Sequence, residues 1–291
     1  MRFQRQGGVF MHVTSLPGPH GIGDLGQGAR DFLDFLDRAN QSLWQFCPLG
    51  PISQAHGNSP YQSFSAFAGN PLLISLDRLV DRGLLTEAEL EGEEFDAHHV
   101  DYDHVASFKR DRLHTAFERF EPTDEYHDFC EREASWLDGY ALFMALKHEF
   151  EGALWTTWPH EVKTRDPDAL DRYRDELSEE VAFRRFVQYV FDRQWKAVRE
   201  YAAERGIQLV GDLPIYVALD SADVWTAPDA FRLDENNEPT VVAGVPPNPQ
   251  DDGQRWGNLL YDWDRLRENG YDWWLDRLKR LFDLVDITRI D

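Results

Sequence analysis

The chain has 291 residues, with 53 acidic side chains against 30 basic ones and a formal charge of −23. So negative a surface repels phosphate backbones and anionic lipid heads, which argues against nucleic-acid and membrane-surface partners. A hydrophobic content of 42% with 13% aromatics supports a sizeable core, in one large domain or two smaller ones, and excludes a disordered chain.

Four short apolar runs read as buried strands: residues 8–13, 43–49, 207–212 and 284–290. Helical periodicity precedes the last three. Residues 29–39 carry Phe32, Leu33, Phe35 and Leu36; residues 183–205 carry Phe186, Val190, Phe191, Trp195, Val198 and Tyr201. Residues 271–282 carry Trp274, Leu275, Leu278 and Leu281. Helix then strand, repeated, predicts a parallel α/β sheet. Between the second and third strands, residues 76–178 read as mostly helical, with acidic clusters at 87–96 and 166–180 as solvated faces, and form an expected insertion or subdomain. The expected division is therefore 1–75, 76–178 and 179–291. Residues 243–256, rich in Gly, Pro, Asn and Asp, read as a mobile rim loop, with a lid as the functional expectation. A strand-like run closes at Asp291. A parallel strand needs a neighbour on each side, and four strands are too few for a barrel of about eight, so a truncated barrel is expected.

Cys47 and Cys130 are too few for a disulfide framework, and no Cys/His spacing matches a zinc site. His98, His99 and His104, beside Asp101 and Asp103, read as a solvated loop. The longest unbroken apolar run, residues 140–146, is far too short to span a bilayer, and residues 1–8 lack the apolar core of a secretion signal. A cytoplasmic location is expected. Lysine appears only at 109, 147, 163, 196 and 279, and acidity with arginine in place of lysine points to a salt-rich cytoplasm. Gly21-Ile22-Gly23-Asp24-Leu25-Gly26 spells G-x-G-x-x-G, but residues 15–20 separate it from the strand and Asp24 would face a pyrophosphate. A structural glycine loop is the expectation there.

Two carboxylates stand out by position. Asp212 ends the third strand, and Asp291 ends the fourth with Arg289 two residues back, on one face of an extended chain. A guanidinium there favours the carboxylate anion that a nucleophile requires, and active sites gather at the C-terminal rim of barrel strands. Ten tryptophans and ten tyrosines supply flat faces suited to pyranose rings. Trp136, Trp195 and Trp274 sit at helical spacing and read as core. Tyr61 and Trp256 lie instead in loops rich in Gly, Ser, Pro and Asn.

Ordered blocks along almost the whole chain resemble the 4-α-glucanotransferases, the amylomaltases or disproportionating enzymes of glycoside hydrolase family 77. They are His12-Val13-Thr14-Ser15-Leu16-Pro17-Gly18-Pro19 with the glycine loop, Trp44-Gln45 with Pro48-Leu49-Gly50-Pro51, and Ser59-Pro60-Tyr61-Gln62 with residues 65–72. Gly211-Asp212-Leu213-Pro214-Ile215-Tyr216-Val217, residues 220–225, residues 242–247, Gly253-Gln254, Trp256-Gly257-Asn258 and Arg289-Ile290-Asp291 follow. Asn40 stands where the family usually has glycine, and Leu259 where proline follows Asn258.

The resemblance implies a (β/α)8 barrel with helical insertions, Asp291 as nucleophile and Arg289 beside it. Tyr61 and Asp212 would surround the cleaved sugar, Ser59 and Asn258 would contact glucan, and Trp256 would serve the acceptor. The implied reaction is retaining transfer between an α-1,4-glucan donor and a glucose or maltooligosaccharide acceptor, with no metal or organic cofactor. In the family the acid/base glutamate comes after the Arg-Ile-Asp block, so none is assigned here and the chain alone is expected to be inactive or very weak. A second chain supplying the rest of the barrel is one expectation. The other readings are a non-catalytic glucan-binding fragment, an amylase-like hydrolase and a nicotinamide-dependent oxidoreductase.

Overall fold

The structure, a computed structural model, describes residues 5–54, 57–249 and 251–291. Its frame is a parallel sheet in which β1 (Gly8–Phe10), β2 (Leu43–Gln45), β3 (Gln208–Leu213) and β6 (Ile287–Ile290) are neighbours in that order. The register pairs Val9 with Trp44, Trp44 with Leu209, and Asp212 with Arg289. The crossovers are helical. α1 (Gln27–Arg38) joins β1 to β2, α7 (Ser178–Glu204) leads into β3, and α10 (Asp272–Leu284) leads into β6. All four strands and all three helices lie where the hydrophobic pattern predicts them. The first two strands are shorter than expected, because Val13–Ser15 turns into a short 3-10 helix and Pro48 has no N–H for a ladder.

α1 turns Ala29, Leu33 and Leu36 inward, a spacing of four and three residues that marks one helix face. α7 buries Phe186, Val190, Phe191, Trp195 and Val198 in the same core. Burying each such large side chain is worth roughly 1.5–3 kcal/mol. Trp195 meets Phe46 edge-on at 5.3 Å, and its Nε1 donates to Leu284 O at 2.8 Å, which ties α7 to the end of α10. Trp136 and Trp274 also pack against core clusters, as their spacing predicts.

Between β2 and β3 come α2 (Asp77–Val80), α3 (Tyr102–Glu118), α4 (Asp124–Glu149), α5 (His160–Lys163) and α6 (Pro167–Glu176). Two buried lysines anchor this stretch. Lys109 of α3 donates to the carbonyls of Leu72 and Ile74 at 2.7 and 2.8 Å and faces Asp24 at 3.5 Å. Lys147 of α4 pairs with Asp220 at 2.7 Å. Asp24 therefore turns inward, and the glycines of its loop permit close packing: a Cβ on Gly23 would meet the Val13 carbonyl oxygen at 2.1 Å. His104 bonds Glu93 through its ring, while the amides of His98 and His99 bond Asp96.

Asn40 follows α1 with φ of 53°, the left-handed region where glycine is favoured and asparagine is the next best residue. Asparagine where the resemblance implies glycine is conformationally conservative. The rim-loop reading of residues 243–256 is corrected only at the two ends of the segment. β4 (Val242–Val245) and β5 (Gln254–Leu259) pair antiparallel, so those ends belong to the strands of a hairpin. Proline and glycine density hid the pairing, because Pro246, Pro247 and Pro249 belong to the connecting turn. Leu259 is fully buried, which explains an apolar residue at that position. α8 (Ala222–Thr226) and α9 (Trp263–Glu268) flank the hairpin. No helix among the described residues is long and apolar enough to cross a membrane.

Candidate active site

Parallel pairing puts Asp212 and Arg289 directly across from each other near the C-terminal ends of β3 and β6. Arg289 Nη1 donates to both Asp212 carboxylate oxygens at 3.0 Å, and Nη2 donates to Asp291 Oδ1. One guanidinium thus joins the two carboxylates singled out by their position, with the planar donor geometry that favours arginine. From the loop after β2, the Tyr61 hydroxyl donates to Asp212 Oδ2 at 2.8 Å. The acids differ in exposure, the Asp212 side chain at 1% and that of Asp291 at 39%.

Backbone bonds fix these groups. The Asp291 amide donates to Leu213 O at 2.9 Å, and the Ile215 amide donates to Asp291 O at 2.7 Å, so the β3–β6 ladder runs past both strands. Ser59 Oγ accepts from the Tyr61 amide at 3.3 Å and Ser63 Oγ donates to Pro51 O at 2.9 Å, which shapes the loop that aims the tyrosine. Further along that loop, Asp223 accepts from the Ala66 amide at 2.7 Å and from the Ser65 hydroxyl at 3.3 Å. Burial pushes the Asp223 carboxyl up to about 6, against the opposing pull of those bonds and of Arg277. Burial, then the bond to Asp212, pushes the Tyr61 hydroxyl well above its ordinary range, so it remains a donor at neutral pH. Burial and then the Asp212 charge push the Cys47 thiol up as well.

A hollow open to solvent is lined by Cys47, Tyr61, Asp212, Tyr216, Asp223 and Arg277, among others, while Arg289 and Asp291 lie outside its lining. Tyr61, Asp212, Arg289 and Asp291 are brought together, and Ser59 stands one hydrogen bond behind Tyr61. Trp256 and Asn258 are not in this group. They lie on β5, outside the hollow's lining, with Trp256 47% exposed and its Nε1 on Gln254 Oε1 at 2.9 Å. Sequence reasoning missed Cys47, Asp223 and Arg277. For Arg277 a signal existed, since it follows Trp273 and Trp274 at the four- and three-residue spacing that lays a guanidinium over rings.

The profile of the 4-alpha-glucanotransferase family, glycoside hydrolase family 77, matches residues 11–291. A 4-alpha-glucanotransferase of Thermus thermophilus is 48% identical over 298 residues, covering 100% of this chain and 59% of its own length. One from Streptococcus pneumoniae is 45% identical over 295 residues, with 99% and 58% covered. Among solved structures, the amylomaltase from Streptococcus agalactiae in complex with acarbose superposes with a TM-score of 0.93 at 40% identity, covering 99% of this chain and 59% of that one. The amylomaltase from Corynebacterium glutamicum shares the fold, with a TM-score of 0.74 at 19% identity over 98% of this chain and 40% of that one. The chain thus spans under two thirds of the length of these relatives. With its parallel α/β sheet, its TIM-barrel-like neighbours and a family match along nearly its whole length, the chain belongs to the 4-alpha-glucanotransferase family, glycoside hydrolase family 77.

Proposed function

We propose that this chain carries the nucleophile and part of the sugar-binding wall of an enzyme that moves α-1,4-glucan segments between maltodextrins. The observation that carries the reading is the single Arg289 guanidinium shared by Asp212 and Asp291 at the rim of two adjacent parallel strands. Asp291, the more exposed acid, attacks the anomeric carbon while a separate acid protonates the leaving oxygen. Arg289 holds the Asp291 carboxylate in place. The glycosyl-enzyme is then opened by the 4-hydroxyl of a glucose or maltooligosaccharide acceptor, with retention at the anomeric centre. Asp212, held by Tyr61 and Arg289, has its oxygens directed at fixed donors and serves the sugar as a rigid acceptor. Ser59, Trp256 and Asn258 complete the glucan contacts, with Trp256 on the acceptor side. The acarbose bound by the Streptococcus agalactiae amylomaltase supports a maltooligosaccharide-like ligand.

The remainder of the reading concerns organisation. Residues 1–75 and 179–291 form barrel units, and 76–178 form a helical insertion. β1 and β6 are the outer strands of the sheet, with Phe10 58% and Ile290 63% exposed, which supports docking of further barrel strands from a continuing chain or a second one. The acidic surface suits a salt-rich cytoplasm.

Incubation with maltotriose tests the proposal. Glucose plus longer dextrins are expected from the protein carrying this segment, and loss of both in Asp291→Asn. Shorter products alone would establish a hydrolase. Binding without turnover, once the remaining strands are supplied, would establish a glucan-binding protein. The 291-residue chain by itself is expected to be inactive or very weak, and robust transfer by it would overturn that part of the reading.

A further inference from the structure

Arg277 of α10 is 2% exposed, and among the described residues it forms no ion pair. The Asp223 carboxylate acts on it only from beyond ion-pair distance, and a buried guanidinium lacking a direct pair is expensive, so its hydrogen bonds indicate what it is held for. Nη2 donates to Pro214 O at 2.5 Å; Nη1 donates to Ile215 O at 3.1 Å and to the Tyr261 hydroxyl oxygen at 3.0 Å. Tyr261 in turn donates to Ile215 O at 2.7 Å. The rings of Trp273 and Trp274, with centroids 5.4 and 5.1 Å from the guanidinium carbon, offset part of the lost hydration.

The Pro214 carbonyl and the Ile215 amide belong to one planar peptide group. Arg277 holds its oxygen, and its N–H holds the carbonyl of Asp291 at 2.7 Å. Rotation of that plane would move the Asp291 backbone, and a cation on the oxygen polarises the N–H toward a stronger bond. We infer that Arg277 is a positioning residue that sets the Asp291 carboxylate through the Pro214–Ile215 peptide. This inference rests on the proposed role of Asp291 only for its kinetic consequence; the mechanical link stands on the hydrogen bonds alone.

The test uses Arg277→Met, which keeps the aliphatic stem over the tryptophans, Arg277→Lys, which keeps one charged donor, and Tyr261→Phe, which removes a single neutral one. Amide exchange at Ile215 and Asp291 is expected to rise about tenfold or more in Arg277→Met, less in the other two, with Val9 and Trp44 in the β1–β2 pair unchanged. In the transferring protein, kcat for maltotriose falls about tenfold in Arg277→Met, KM stays within about twofold, and Arg277→Lys recovers part of the loss. Unchanged exchange at Ile215, or an equal rise across the whole sheet, would overturn the inference, as would a rise in KM at constant kcat. If Arg277→Met does not fold, Tyr261→Phe decides by the same exchange criterion. A protein supplied with its remaining barrel strands that is still inactive, yet whose Ile215 amide is released by Arg277→Met, would refute the transferase reading and leave the positioning role standing.

Discussion

Asp223 offers a quantitative check on the buried polar wall beneath the site. Its carboxyl is 4% exposed and accepts from the Ala66 amide and the Ser65 hydroxyl, yet burial dominates and lifts it from 3.8 to about 6. A carboxyl raised in the folded state adds stability that is fully present below the unfolded value and is lost as pH rises through the folded one. At about 1.36 kcal/mol per pH unit, the interval from 3.8 to about 6 corresponds to about 3 kcal/mol. Roughly 2 kcal/mol of this falls between about pH 4 and about pH 7.5, two conditions on either side of the sequence pI of 4.7. Asp223→Asn keeps an acceptor for the Ala66 amide and can donate to Ser65 Oγ, but cannot ionise. Urea unfolding of parent and variant at both pH values isolates the effect, because other carboxylates cancel in the difference. The variant is expected to gain about 2 kcal/mol on the parent between acid and neutral pH. A gain under about 0.5 kcal/mol, or one of opposite sign, would refute the account of Asp223 as a charge held against burial.

Other perturbations have defined outcomes. Tyr61→Phe deletes the 2.8 Å bond to a nearly buried carboxylate and is expected to lower kcat/KM for maltotriose about 10- to 100-fold, read from initial rates. Lys147→Met leaves Asp220, 7% exposed at the side chain, without its cation and should cost about 3–5 kcal/mol in urea unfolding; replacing Asp220 by leucine as well should recover most of it. Trp256→Ala on β5 is expected to raise the acceptor KM about fivefold while leaving kcat at saturating acceptor nearly unchanged. With a formal charge of −23, raising KCl from about 0.1 M to about 2 M should move the urea midpoint upward by screening self-repulsion; a fall would contradict the electrostatic reading of the surface.

The sheet was legible because its information is local. A face of Ala29, Leu33 and Leu36, or of Phe186, Val190 and Trp195, announces a helix whatever it packs on, and a short apolar run after each announces a buried strand. Asp212, Arg289 and Asp291 were legible for the same reason, since strand ends and the i, i+2 rule locate them. The hairpin was not. Its pairing of Val242 with Leu259 spans a turn crowded with proline and glycine, and those residues mark irregular loops and hairpin turns alike. For Arg277 the spacing from Trp273 and Trp274 marks the stacking, but not the link to the site, because that runs through backbone carbonyls 62 and 63 residues earlier, and a carbonyl leaves no mark in a sequence. Tyr61 and Asp212, 151 residues apart, were associated by family resemblance and not by any spacing.

Geometry also separates the two acids that position alone left equivalent. Both touch the same guanidinium, so the charge beside them does not distinguish a nucleophile from a supporting group. On the proposed reading, hydrogen bonding does. Asp212 is enclosed, and both of its oxygens accept, one from Arg289 and the other from Arg289 and Tyr61; lone pairs committed to fixed donors are poorly placed to attack carbon. Asp291 receives the second arm of the guanidinium on Oδ1 while its side chain remains 39% exposed, and its backbone is gripped on both sides by Leu213 and Ile215. On the proposed reading, a carboxylate fixed at the main chain and open at the side chain suits a covalent step on a bound sugar, and the buried partner acid supplies a rigid acceptor beside it. On this argument Asp212→Asn, which retains the shape and one acceptor, should weaken binding and rate together, whereas Asp291→Asn should abolish the covalent intermediate with maltooligosaccharide binding intact. Trapping of a glycosyl-enzyme on Asp212 in place of Asp291 would reverse the assignment.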